Sequence, residues 1–312
     1  MDTVTINDGR SLNEVLHNHA LWLAGVATSV RCILEGETLN GVPLPGAKLR
    51  SAILRGTALL DADLSGADLS VAIIDGSDFE RVILSNADLS SAQISETQFP
   101  FTWMPASCWI DTKLRGNNFR KTNLRHARFQ GALIEGCQFK GAALSESALH
   151  DARLAACDFS ESEFPKAQFL RAQLRECRFA GAKGDGADFS KAHLKACDFA
   201  RVELTGARFF QAVLTGCEFD RTTLHDVDLR EADLSGANFC QADLSYAHFR
   251  GARLFATDFR NADLTGAQEL TQAQLAQART DERTILPNGS RGPYRRHSGA
   301  ERPALIAQEF TG

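Results

Sequence analysis

Eight cysteines, eight histidines and 39 acidic residues among 312 offer the raw material for metal ligation, nucleophilic attack or acid–base work. The cysteines are the most ordered of these. Cys137, Cys157, Cys177, Cys197 and Cys217 recur every 20 residues, which would suit a thread of thiolates for a soft metal. No CxxC pair or neighbouring histidine completes a tetrahedral set, and the same series elsewhere holds Thr57, Ser77, Thr97, Ala237 and Thr257. Small apolar filling of a packed interior is the plainer reading. Cys32 falls at another inward position, whereas Cys108 and Cys240 are predicted to point outward as free thiols, which fits a reducing compartment. His17 and His19 are two apart on a predicted helix and face different ways. The serines lack a paired base, and no G-x-G-x-x-G follows a strand and opens a helix. The expectation is a chain without catalytic centre, cofactor or metal, not an enzyme.

The elements that hold these residues follow from one spacing. From Leu34 to Leu264 every fifth residue is Leu, Ile, Phe, Met or Trp, with Gly184 the only exception. Two residues before each centre the side chain is Ala, Ser, Thr, Cys or Val, except at Glu37 and Asn117. A period of five fits neither a helix nor a simple strand and marks a repeat architecture. It appears openly in Ala62-Asp63-Leu64-Ser65-Gly66, Ala232-Asp233-Leu234-Ser235-Gly236 and Ala262-Asp263-Leu264-Thr265-Gly266.

These A(D/N)LxG units resemble the pentapeptide-repeat family. The resemblance implies an all-β solenoid, a right-handed quadrilateral parallel β-helix with 20 residues per coil and one pentapeptide per side. Each large centre, and the small residue two before it, then points inward. The sequence itself supports the 20: Phe79, Phe99, Phe119, Phe139, Phe159, Phe179, Phe199, Phe219, Phe239 and Phe259 form one column, while the column from Leu34 to Leu254 is wholly aliphatic. A period of five alone would not separate the two.

Four segments follow. Residues 1–31 form an N-terminal segment in which Ser11-Leu12-Asn13-Glu14 is a capping box, and Leu12, Val15, Leu16, His19, Trp22, Leu23 and Val26 recur at helical spacing up to Gly25 and just past it. Residues 32–267 form the β-helix. Residues 268–280 hold a short capping helix, with Leu270 and Leu275 facing the last coil, and residues 281–312, rich in Pro and Gly with a basic cluster of Arg291, Arg295, Arg296 and His297, read as a disordered tail. Capping helices at both ends would close the open edges of the stack. There is no apolar run of membrane-spanning length and no basic, apolar signal sequence, so the expected address is the cytoplasm.

Function is expected on the surface. Asp63, Glu163, Asp185, Glu203, Asp226, Asp243 and Asp263 make an acidic strip on one side, Lys113 to Arg128 concentrate positive charge in a girdle, and Phe101, Trp103 and Ile110 replace polar outward residues. Several members of the family that the chain resembles are DNA mimics that bind type II topoisomerases such as DNA gyrase. That resemblance implies a non-enzymatic protein-binding scaffold with a protein partner and no direct contact with nucleic acid. The alternative is a structural or secreted effector role at a membrane or host target, with the basic tail as an electrostatic tether. A monomer is favoured over an end-to-end homodimer. The net charge of -5 is too small to name a partner by itself.

Overall fold

The computed structural model describes residues 4–303. The chain forms two compact units, Met1–Gln173 and Leu174–Gly312, and the fold is the quadrilateral parallel β-helix that the repeat predicts. In the first unit, α1 (Leu12–Leu23) precedes β1 (Ile33–Glu35), β2 (Ile53–Arg55), β3 (Ile73–Asp75), β4 (Gln93–Ser95), β5 (Lys113–Arg115), β6 (Leu133–Glu135) and β7 (Arg153–Ala155). Each of these strands pairs in parallel with the residue 20 further on, as in Leu34↔Leu54 and Ile134↔Leu154. The other three sides are held by single bridges at the same offset, such as Ala58↔Asp78, Asp63↔Ile83 and Asp68↔Asp88. Strands are short because every fifth residue turns a corner in the left-handed backbone region, which ends the extended run.

Within each coil the centres and the small residues two before them are buried, and the residue between them faces out. The phenylalanine column is a ring stack in each unit. Phe99, Phe119, Phe139 and Phe159 lie 4.9, 4.8 and 4.6 Å apart between ring centres with planes within 6°. In the second unit Phe179, Phe199, Phe219 and Phe239 repeat the arrangement at 4.6, 4.9 and 4.7 Å. Trp109, Phe129, Phe189 and Phe209 meet these stacks edge-on from the adjacent side, so aromatic pairs adopt both favourable geometries, near-parallel and edge-to-face. Trp109 is wholly buried, and its indole N–H donates to Ser107 Oγ at 2.7 Å.

The two departures from the small-residue rule are both accounted for. Asn117, fully buried, accepts the Thr97 N–H at 2.9 Å and donates to the Ile94 carbonyl at 2.9 Å. Glu37 accepts the Asn7 N–H at 2.9 Å and so belongs to the N-terminal cover. Helix α1 starts at Ser11, whose hydroxyl accepts from Glu14 N–H, and it lays Leu12, Val15 and His19 against the first coil. Trp22, Leu23 and Val26, expected on the same face, stay largely exposed. Pro43 occupies a position whose N–H would have had no coil beneath it, and proline has none to leave unpaired.

The second unit carries β8 (Gln173–Arg175) at its border, β9 (His193–Lys195), and then single bridges on every side, as in His193↔Val213 and Val213↔Asp233. Gly184, the one centre without a large side chain, keeps its ladder bond to the Glu203 carbonyl. Helix α2 (Gln272–Leu275) is shorter than expected, with a complete capping box between Thr271 and Gln274. The Gln274 amide also donates to the Phe249 and Ala252 carbonyls, replacing a missing ladder.

Beyond α2 the structure corrects the composition-based reading of a disordered tail. Residues 281–303 build a further coil: Asp258 bridges Arg279 and Asp263 bridges Ile285, spans of 21 and 22 residues in place of 20. Thr284, Leu286, Ala300 and Glu301 are buried, and Ile285 pairs on its outer side with Arg291 in antiparallel fashion, which closes the edge. The helix inserts extra residues, so the five-residue register is lost while the ladder continues. Residues 304–312, the remainder of the expected tail, lie outside the described residues.

Candidate partner-binding interface

The described residues contain no cluster of three or more His, Cys, Asp or Glu placed to hold a metal. The cysteine column explains itself locally. Cys137 and Cys177 Sγ donate to the carbonyls of Glu135 and Arg175 at 3.5 Å, as the Thr57 hydroxyl donates to the Leu34 carbonyl in the same column. Burial pushes the Cys137 thiol up to about 12 and that of Cys32 up to about 11, so these sulfurs stay protonated. Cys108, expected at the surface, is buried, and Cys240 is half-buried; each points away from the core, and the polar side chains of neighbouring coils cover it.

The acidic residues divide by role. Asp63 Oδ1 accepts the Ser65 N–H at 2.9 Å, Asp243 accepts from Ser245 at 3.0 Å and Asp263 from Thr265 at 2.8 Å. Each carboxylate thus folds back onto the turn two residues on, an Asx-turn in which aspartate serves the corner. All three are half-buried. Asp228 and Asp258 do the same with Arg230 and Arg260 added: burial raises a carboxyl, but hydrogen bonds from these arginines hold both below the usual range. Glu163, Asp185, Glu203 and Asp226, by contrast, are exposed. Lys183 stands 3.5 Å from Glu203, His248 stands 3.6 Å from Asp226, and Asp185 caps the Thr205 N–H at 2.9 Å.

The bridges fix which of these share a side. In the first unit Asp63, Ile83, Trp103, Asn123, Ala143 and Glu163 succeed one another along one side, and in the second Lys183, Glu203, Thr223, Asp243 and Asp263 do. Trp103 is 53% exposed and Phe101, at the corner just before it, 55%. Ile110 lies on a different corner and is half-buried, so it does not join them. Ile83, 41% exposed directly beneath Trp103, does join them. Its place 20 residues before Trp103 was the signal that could have found it.

The basic girdle borders this apolar pair. Lys121 Nζ lies 5.6 Å from the Phe101 ring centre, and the Arg125 carbonyl accepts from Ala106 N–H at the opposite corner. Cations elsewhere in the first unit pair with an acid one coil away, as in Arg55–Glu35, Arg81–Asp61 and Arg171–Asp151 at 2.7–2.8 Å. Lys113, Arg115, Arg120, Lys121, Arg125 and Arg128 have no carboxylate within 4.0 Å among the described residues, and His126 alone reaches one, Glu146 at 3.6 Å.

No helix among the described residues is long and apolar enough to cross a membrane. The family model described as pentapeptide repeats matches residues 32–99, in three overlapping stretches, then 110–141 and 197–279, and the model described as a pentapeptide repeat region matches 132–209. Among solved structures the chain is similar to HetL, a pentapeptide repeat protein involved in heterocyst differentiation regulation from the cyanobacterium Nostoc sp. strain PCC 7120 (25% identity, 69% of this chain and 91% of that chain, TM-score 0.39). It is also similar to trypsin-treated QnrB1, a plasmid-mediated fluoroquinolone resistance protein (24%, 63% and 82%, 0.27). A third is a pentapeptide repeat protein of the Arabidopsis thaliana thylakoid lumen (28%, 34% and 63%, 0.22). No curated protein sequence gives a significant match. With the repeat models covering the β-helical coils of both units, and the five-residue register visible in every side of them, the chain belongs to the pentapeptide-repeat family.

Proposed function

We propose that the chain is a non-enzymatic protein-binding scaffold and that the acidic side of its second unit receives a basic surface of a type II topoisomerase such as DNA gyrase. The observation that carries this reading is the exposure of Asp185, Glu203 and Asp226 alongside Asp243 and Asp263, with only Lys183 and His248 beside them as counter-charges. The buried cysteines and turn-bound aspartates are occupied with the fold, which leaves the surface to do the work. Potentials of one sign on a rigid face steer and select a partner of the other sign.

The turn role of the aspartates shapes the test. Asparagine keeps the Oδ1 acceptor that an Asx-turn needs and removes the charge. A variant carrying Asp185→Asn, Glu203→Gln, Asp226→Asn, Asp243→Asn and Asp263→Asn is expected to melt as the parent does and to lose any inhibition or protection of gyrase in a supercoiling assay. Unchanged activity in that assay removes the acidic side from the account. A second reading, attachment to an anionic membrane, draws on the exposed Arg291, Arg295 and Arg296 of the closing coil. Co-sedimentation with phosphatidylserine vesicles, lost when those three become Gln, would favour it.

A further inference from the structure

We infer that Ile83, Phe101 and Trp103, with Arg120, Lys121 and Arg125 at their border, form a second and oppositely charged docking surface that takes a short acidic polypeptide segment carrying an apolar side chain. Three observations converge. First, large apolar side chains stand in solvent where the repeat places polar ones, and two of them stack along one side. Second, the cations nearest to them lack the carboxylate partner that stacked cations elsewhere in this unit have, so their charge is available. Third, Phe101 holds φ at +57°. A bulky residue is disfavoured there, and Gly41 and Gly141 fill the same corner in other coils. Phe101 gains little burial in return, which points to a use outside the fold.

An apolar centre with a cationic border is the anatomy of an anchor pocketed by charge, and tryptophan with arginine beside it is the residue pair richest in binding energy at interfaces. The chemistry also selects a short protein segment over a nucleic-acid strand. Along the same side Asp63 lies below the patch and Glu163 above it, and Glu146 stands next to His126. A polyanion longer than the patch would run into like charge in both directions. A peptide segment with a few carboxylates around one Leu or Phe would not.

The probe is a random peptide phage library panned against the full chain and counter-selected on the Trp103→Glu variant. The expected winners carry net negative charge with at least one large apolar residue, and a synthetic copy binds about tenfold or more weakly to Trp103→Ala and to Lys121→Glu/Arg125→Glu, with affinity falling as salt rises. Phe101→Gly is expected to weaken binding while leaving the melting temperature equal or higher, which separates loss of contact from loss of fold. Neutral or basic winners, no enrichment over the counter-selection, or affinity indifferent to these variants would overturn the inference. So would a fluorescein-labelled oligothymidine that binds as tightly and is lost in the same variants, since that result assigns the surface to nucleic acid. The gyrase assay uses other residues, so either reading can fail without the other.

Discussion

At the residue scale, two serines in equivalent inward positions give opposite predictions. The Ser107 hydroxyl accepts the Trp109 indole N–H and donates to the Met104 carbonyl, whereas Ser147 Oγ is buried with no hydrogen-bond partner. A buried polar group left unpaired loses its hydration for nothing, and one that satisfies another group cannot be removed without orphaning it. Ser147→Ala is therefore expected to stabilise by about 1 kcal/mol, and Ser107→Ala to destabilise by about 1–3 kcal/mol. Urea unfolding of the two variants compares them directly, and a shift of the same sign in both would contradict the pairing argument. Phe119, with Phe99 and Phe139 on its two faces and Trp109 at its edge, should cost roughly 3–5 kcal/mol when cut to Ala. These inward roles could be read from the sequence, because period and size decide them. The Asx-turns could not, since an aspartate between two inward residues looks the same whether its carboxylate faces a partner or its own turn.

At the element scale, α1 is a lid on an open ladder and His19 is its fastening. This side chain is wholly buried; Nδ1 accepts the Cys32 N–H at 3.0 Å and Nε2 donates to the Arg50 carbonyl at 3.0 Å. Those partners fix the neutral tautomer. Burial first, and then the nearby Arg31, hold the imidazole pKa below its usual 6.5. A group with a depressed basic pKa is protonated first in the unfolded chain, so stability is full above about pH 6.5 and declines as the pH falls below it. Hydrogen exchange of the Cys32 amide should accelerate over that interval, and His19→Leu should flatten the dependence while weakening the cover at every pH. A Cys32 amide whose protection is independent of pH between 7 and 5 would refute this role. The helix itself was legible from its cap and spacing. Its exposed Trp22 was not, because periodicity says which residues share a face and not how far a short helix reaches over a coil.

At the scale of the whole molecule, the closing coil bears on assembly. Leu270 and Leu275 are 5% and 1% exposed, spent on the chain's own last coil, so a two-fold joint through α2 would have to open that cover first. Light scattering is expected to give a mass near 34.0 kDa, and a mass near twice that, abolished by Leu275→Glu, would reverse the expectation. Partner binding through the acidic side should weaken steeply with salt, because exposed charges are screened beyond about 8 Å at physiological ionic strength. The family and the inward register were legible across the repeats because every coil states them again. The closing coil was not, because α2 shifts the spacing from 20 to 21 and 22 and leaves no periodic trace. The separate columns also constrain how such a gene can lengthen. Gain of a single pentapeptide leaves every inward residue inward, yet turns all later columns by one side and sets phenylalanine above leucine, breaking the ring stacks. Gain of a complete coil preserves each stack. Tandem duplications that survive in these units should therefore come as whole coils, and replication slippage by one repeat should be purged although it conserves the motif.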